Sequence, residues 1–111
     1  MTAVIVCNGS IRDYAHYSKF FEDAEYVISV DGGAAHLRKF GVKPDLLLGD
    51  FDSVNSKDFE YFRDRGSEVM KFPPEKDMTD AELAVDVAVQ KGFRKLILIG
   101  ALGTRADHSL A

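Results

Sequence analysis

Cysteine is nearly missing from this 111-residue chain. Cys7 stands alone inside the apolar run Ala3-Val4-Ile5-Val6-Cys7, so an intrachain disulfide framework is excluded and a buried, reduced thiol is expected. A surplus of basic residues is missing too. The formal net charge of −4 argues against a nucleic-acid partner, whose phosphates call for a cationic face. No apolar run approaches the ~20 residues needed to span a bilayer. Met1 leads straight into a strand-like run, without the basic and apolar regions of a secretory leader. The expectation is a cytoplasmic protein with no membrane partner. Three catalytic patterns are also absent. There is no Gly-x-x-x-x-Gly-Lys-Ser/Thr loop, no Gly-x-Ser-x-Gly elbow and no Cys/His cluster, which excludes a P-loop enzyme, disfavours a serine hydrolase and leaves zinc unsupported.

What is present is the composition of one soluble globular domain, with 46% apolar and 29% charged residues. Near-continuous apolar runs predict strands over 2–7, 26–30, 46–48, 68–72 and 94–99, those over 2–7 and 46–48 buried. Between them lie helix-forming stretches. The stripe of Tyr14, Tyr17, Phe20 and Phe21 predicts a helix over 13–24 with a core-facing side. A short helix over 34–40 has Gly41 as its C-cap. Ser53, Asn55 or Ser56 can cap a third helix running to about Asp64, with Phe59 and Phe62 turned inward and Gly66 as its stop. Thr79 and Glu82 have capping-box spacing at the head of a fourth, which Gly92 ends. Ser109 is placed to cap a further helix. Strand and helix alternate throughout, which predicts an α/β fold: a Rossmann-like three-layer α/β/α sandwich around a mostly parallel sheet of about five to six strands, in one domain over 1–111.

Right-handed crossovers bring the carboxyl ends of such strands to one sheet edge, where open α/β sheets bind ligands. The polar segments that follow the strands therefore belong together. The first holds Asn8, Gly9 and Ser10, a turn after a strand that fits either phosphate binding or a plain strand-to-helix link. The second holds Asp31, Gly32 and Gly33, where the acid suits a ribose or phosphate contact or a helix cap. The third is Gly49-Asp50-Phe51-Asp52-Ser53. Two carboxylates at i and i+2 repel each other, and a hard cation such as Mg²⁺ relieves the repulsion. The fourth, after two stiffening prolines, carries Lys76, Asp77 and Asp80, with the acids at i and i+3 near a helix start. The fifth carries Arg105, Asp107 and His108. Arg105 suits bidentate contact with phosphate, and His108 is a base, a donor or a structural residue. His16 and His36 sit in helices and have no assigned role. Carboxylates for a metal, two cations and glycine backbones imply Mg²⁺-assisted transfer of a phosphoryl or diphosphoryl group.

With these segments in hand, the chain resembles the thiamine pyrophosphokinase (thiamin diphosphokinase) family. The matching stretches are Asp31-Gly32-Gly33-Ala34, Pro44-Asp45 with Gly49-Asp50-Phe51-Asp52-Ser53, Phe72-Pro73-Pro74-Glu75-Lys76-Asp77-Met78-Thr79-Asp80, and Gly100-Ala101-Leu102-Gly103-Thr104-Arg105-Ala106-Asp107-His108. They occur in the family's order and spacing. The resemblance implies transfer of diphosphate from ATP to the thiamine hydroxyl, giving thiamine diphosphate and AMP with Mg²⁺. It implies a metal and phosphate site at Asp50, Asp52, Asp77 and Asp80. Asn8, Gly9, Asp31, Gly32, Gly33, Lys76, Thr104, Arg105 and His108 would contact nucleotide and phosphates, with Arg105 on phosphate oxygens, and Asp107 would complete the catalytic set. The chain departs from the family pattern at Ala35, where Asn is usual. The family continues into a C-terminal β-sandwich that forms the thiamine pocket across a homodimer, and that domain is expected to be absent from these residues.

Two other functions compete. A non-catalytic nucleotide- or metal-binding fragment would keep the acidic edge without turnover. A nucleotide-sugar transferase would use Asp-x-Asp to hold a metal on a diphosphate, but it leaves the second acidic pair and the Arg-x-Asp-His loop unexplained.

Overall fold

Aliphatic runs without polar alternation are stable only when covered on both faces, and here they pair side by side. The computed structural model describes residues 2–7, 9, 11, 13–30, 32–49, 56–71, 80–100 and 109–110. In chain order the elements are β1 (Thr2–Val6), α1 (Tyr14–Ser18) with a 3-10 turn at Lys19–Phe21, β2 (Tyr26–Val30), α2 (Gly33–Phe40), β3 (Leu46–Gly49), α3 (Ser56–Asp64), β4 (Glu68–Lys71), α4 (Asp80–Gln90), β5 (Lys95–Ile99) and β6 (Ser109–Leu110). Among the described residues the sheet order is β4-β3-β2-β1-β5-β6. Strands β1 to β5 are parallel to their neighbours, and β6 is antiparallel to β5.

The chain steps outward from β1 through β2 and β3 to β4, then returns past β1 to lay down β5. Right-handed crossovers put helices on opposite faces when the direction of travel reverses, and the two halves of the core follow that rule. On one face Ala3, Ile5, Ile28, Leu46 and Leu98 pack with Ala84 and Ala88 of α4. On the other, Val4, Val6, Val27, Leu47 and Ile99 pack with Ala34 and Leu37 of α2 and Phe62 of α3, with Tyr17, Phe20, Phe21 and Phe59 at the margin. Each fully buried aliphatic side chain of this kind contributes about 1.5–3 kcal/mol.

Boundaries moved where local chemistry competed with the helix. The expected helix over 13–24 is a five-residue α1 capped by Asp13, whose side chain accepts from the His16 amide, and it tightens to 3-10 geometry at Lys19–Phe21. Ser18 Oγ donates back to the Ala15 carbonyl at 2.9 Å, a bond that competes with helix continuation. Gly41 ends α2 in the left-handed region, with φ 73°. The expectation that Ser109 caps a helix is corrected. Ser109 lies in β6, opposite Ile97, with Leu110 opposite Leu96. Backbone pairing along the open side of β5 outweighs a cap signal with no apolar helical pattern behind it. β4, at the other edge, is exposed along its whole length.

Ser29 lies in β2, opposite Val6 and Leu47. Among the described residues its hydroxyl is buried without a hydrogen-bond partner. Ser29→Ala is therefore expected to leave stability unchanged or raise it by up to about 1 kcal/mol, read as the urea midpoint. A clear loss of stability would show that the hydroxyl is satisfied.

Candidate functional site

The strand order reverses between β1 and β5, and in open α/β sheets the crevice at such a reversal receives the ligand. The strands end nearly level there. Val6 is opposite both Ser29 and Ile99, Val30 is opposite Leu48, and Gly49 is opposite Lys71. Every acidic segment singled out from the sequence follows one of these ends in the chain.

At the reversal itself the β1–β5 ladder runs on past the strands. Cys7 N donates to the Ile99 carbonyl at 2.8 Å and Gly9 N to the Gly100 carbonyl at 2.7 Å. The two glycines are in such close contact that a Cβ at Gly9 would collide with the Gly100 carbonyl oxygen and stand 2.7 Å from its carbon. Gly100 itself has φ +75°, a conformation L side chains avoid. Gly33, in the first turn of α2, meets β1 in the same way. A Cβ there would collide with the Val6 carbonyl oxygen and lie 2.8 Å from its carbon. The N-cap of α2 is Gly32, which offers no side-chain acceptor. At Gly9, Gly33 and Gly100 the space a side chain would take is filled by neighbouring backbone, so the ends of β1 and β5 and the amino end of α2 pack tightly together at this edge.

His36, one turn beyond Gly33, stands over this backbone. Its Nε2 lies 2.7 Å from the Gly9 carbonyl oxygen, and its Nδ1 lies 2.6 Å from the Tyr14 hydroxyl. A carbonyl oxygen only accepts, so Nε2 carries the proton, and in the neutral ring Nδ1 accepts from Tyr14. Burial pushes the imidazole below its ordinary value; the Gly9 carbonyl opposes this and the Lys39 charge adds to it. Sequence reasoning left His36 without a role, although its i+3 spacing from Gly33 places both on one helix face.

Of the residues named from the sequence, Gly9, Gly32 and Gly33 are found at this edge, and Asp80 is the first residue of α4. Asn8, Ser10, Asp31, Asp50, Asp52, Lys76, Asp77, Thr104, Arg105, Asp107 and His108 lie outside the described residues. Among the described residues no cluster of three or more His, Cys, Asp or Glu could hold a metal. Asp45, part of one matching stretch, is at the opposite edge. Its Oδ2 accepts from Val27 N at 2.8 Å, its own amide donates to the Val27 carbonyl at 2.8 Å and its carbonyl accepts from Glu68 N at 3.0 Å. It joins the starts of β2, β3 and β4 and is a structural residue.

A second hollow, of about 130 Å³, lies at that amino-terminal edge between α2 and α3 and includes Arg38, Lys43, Tyr61 and Arg65. Its cations are already engaged. Arg38 pairs with Asp58 at 3.4 Å. Lys43 Nζ donates to the Arg65 carbonyl at 3.2 Å, and Arg65 to the Tyr61 carbonyl at 3.0 Å. Lys43 and Arg65 satisfy carbonyls at the carboxyl end of α3, where the helix dipole favours cations, and Arg38 meets the acid in its first turn.

The sequence profile of the family described as the catalytic domain of thiamin pyrophosphokinase matches residues 17–111. A thiamine pyrophosphokinase of Bacillus subtilis is 35% identical over 109 residues, covering 98% of this chain and 51% of that protein. Thiamine pyrophosphokinase 1 of Oryza sativa is 30% identical over 129 residues, covering 97% of this chain and 48% of that protein. Among solved structures, the Bacillus subtilis thiamine pyrophosphokinase superposes with a TM-score of 0.73 at 28% identity, covering 96% of this chain and 49% of that one. The Geobacillus thermodenitrificans protein gives 0.69 at 33% identity, covering 95% and 49%. The chain thus spans about half the length of the curated relatives it matches.

Two predictions follow from the geometry at α2. Gly33→Ala is expected to cost about 1–3 kcal/mol through overpacking against β1, seen as a lower urea midpoint; an unchanged midpoint would contradict the contact. The depressed pKa of His36 means that the unfolded chain takes up its proton more readily. Its stabilising contribution is complete above ~6.5 and is lost as pH falls toward the folded value. The stability of the wild type relative to His36→Gln should therefore decline from about pH 7.5 to about pH 5, and a constant difference would show that the ring is not desolvated.

Proposed function

The chain belongs to the thiamin pyrophosphokinase catalytic-domain family, and on that premise we propose that residues 1–111 form the ATP- and metal-binding half of a thiamine diphosphokinase. The reaction is Mg²⁺-dependent transfer of diphosphate from ATP to thiamine. The thiamine hydroxyl oxygen forms a bond to the β-phosphorus, the bond from that phosphorus to the α–β bridging oxygen breaks, and AMP leaves. The hydroxyl proton passes to a base this reading does not assign.

The observation that carries the reading is the reversal of strand order between β1 and β5, where the glycine-bearing ends of the two strands meet beside the amino end of α2. Open α/β sheets bind ligands at such a reversal, and the segments rich in Asp follow the same strand ends in the chain. Asp50, Asp52, Asp77 and Asp80 are the residues that would hold Mg²⁺, a hard cation suited to carboxylate oxygens. Bound there, the metal neutralises phosphate charge and orients the diphosphate. Asn8, Gly9, Asp31, Gly32 and Gly33 take the nucleotide. Lys76, Thr104, Arg105 and His108 take phosphate oxygens, and Asp107 completes the catalytic set. The helices on both faces of the parallel sheet support a Rossmann-like three-layer arrangement for this half.

The matched relatives are about twice as long as these residues. The reading places the thiamine pocket in a C-terminal β-sandwich, outside the matched half, and in a homodimer of the full-length form. It places the protein in the cytoplasm, with no nucleic-acid or membrane partner. Among the described residues no helix is long and apolar enough to cross a membrane.

Titration calorimetry is expected to find ATP binding that depends on Mg²⁺. Asp52→Asn should weaken that binding by at least about tenfold, ~1.4 kcal/mol, through loss of a charged ligand. No heat with or without Mg²⁺ would overturn the site. AMP release from ATP in the presence of thiamine, compared between this chain and one of the relatives' full length, separates a catalytic half from a non-catalytic nucleotide-binding fragment: the former turns over in the longer form, the latter in neither.

A further inference from the structure

We propose that His36 is a positioning residue that holds the Gly9 backbone at the strand-order reversal and ties it to α2. Two hydrogen bonds grip this glycine from opposite sides. Its amide donates to the Gly100 carbonyl at 2.7 Å, and its carbonyl accepts from His36 Nε2 at 2.7 Å. Glycine backbone is conformationally permissive, so these bonds, with the close contact to Gly100, define where Gly9 sits. The imidazole is fixed in turn by the Tyr14 hydroxyl on Nδ1. Tyr14 is wedged against α2, its ring 4.9 Å from that of Phe40 and 5.4 Å from Lys39 Nζ. One turn earlier, Gly33 seats α2 on the Val6 carbonyl.

Helix α2 therefore touches the β1 exit at two levels, by direct backbone contact at Gly33 and through the imidazole at Gly9. The turn after β1 and the amino end of α2 are the two glycine-bearing parts of the edge. His36 makes them move as one, so a ligand that seats against either meets both already in place. Such preorganisation lowers the cost of binding. The effect on affinity rests on the reading of this edge as a nucleotide site, while the clamp itself does not.

The test uses the 111-residue chain with three substitutions. His36→Leu removes the donor, His36→Gln keeps a donor that can reach the Gly9 carbonyl, and Tyr14→Phe removes the bond that orients the ring. Nitrogen-15 spectra of the wild-type imidazole are expected to show Nε2 protonated and Nδ1 bare, with the Nδ1 resonance moved in Tyr14→Phe. Amide hydrogen exchange at Gly9 should rise at least about tenfold in His36→Leu while that at Gly41 is unchanged, and should return to within about threefold of wild type in His36→Gln. Affinity for ATP with Mg²⁺ should follow the same order, falling about tenfold in His36→Leu.

An imidazole protonated at Nδ1 alone, or Gly9 exchange that does not respond to His36→Leu, overturns the clamp. Equal ATP affinity in His36→Leu and wild type overturns its role in binding. If the wild type shows the expected tautomer and Gly9 protection but binds no ATP, the nucleotide reading fails and the clamp stands. Should His36→Leu not fold, the wild-type tautomer, the Tyr14→Phe response and Gly9 exchange in His36→Gln decide the matter.

Discussion

Helix α2 lies closer to β1 than any side chain would allow, and much of the sheet's carboxyl edge depends on that approach. Gly33 faces the Val6 carbonyl with no room for a Cβ, and Leu37, one turn on, is fully buried between the helix and the sheet. An eight-residue helix has little stability alone, so α2 owes its existence to this seat. In return it brings its amino end and His36 to the carboxyl ends of the central strands. A larger residue at 33 would lift the helix, uncover Leu37 and pull the imidazole away from Gly9.

The reversal of strand order gives this contact its chemical meaning. Because β5 returns to the far side of β1, the exits of the two strands are neighbours, and their backbones touch at Gly9 and Gly100. The molecule divides its polar groups between the two edges of the sheet. At the amino-terminal edge Asp45, Ser67 and the cations around Tyr61 are consumed in joining strand starts and closing α3. At the carboxyl edge, the described groups are the packed glycine backbones with His36 and Tyr14, and the acidic segments follow in the chain. Structural polar groups are satisfied by one another, whereas a binding edge must leave groups for the ligand.

A good part of this was legible in the residues. The aliphatic runs Val4-Ile5-Val6, Leu46-Leu47-Leu48 and Leu96-Ile97-Leu98-Ile99 announce strands covered on both faces. Gly41, Gly66 and Gly92 mark helix ends, and each has positive φ. The alternation of strand and helix implies the parallel sheet, and the sheet implies one edge for the polar segments. Other features were hidden. The shortening at Lys19–Phe21 came from a serine bonding to its own helix. Ser109 read as a cap because its partner, Ile97, is far away in the chain. Asp45 stood only as part of one matching stretch, and only the amide of Val27 reveals what it holds.

The identity of β1 to β5 and of α1 to α4, the helix stops and the set of acids and cations following the strands in the chain were thus determined by the sequence alone, because they depend on local periodicity, backbone preference and chain order. The tertiary structure decided which glycines meet, which side chain spans the space between α1, α2 and β1, and which polar residues are already engaged. Gly9 and Gly100 are separated by most of the chain, and so are the two ends of the His36–Gly9 bond by three elements. Contacts of that kind arise only once the hydrophobic runs have packed, since burial of the sheet on both faces is what brings those backbones within hydrogen-bonding distance.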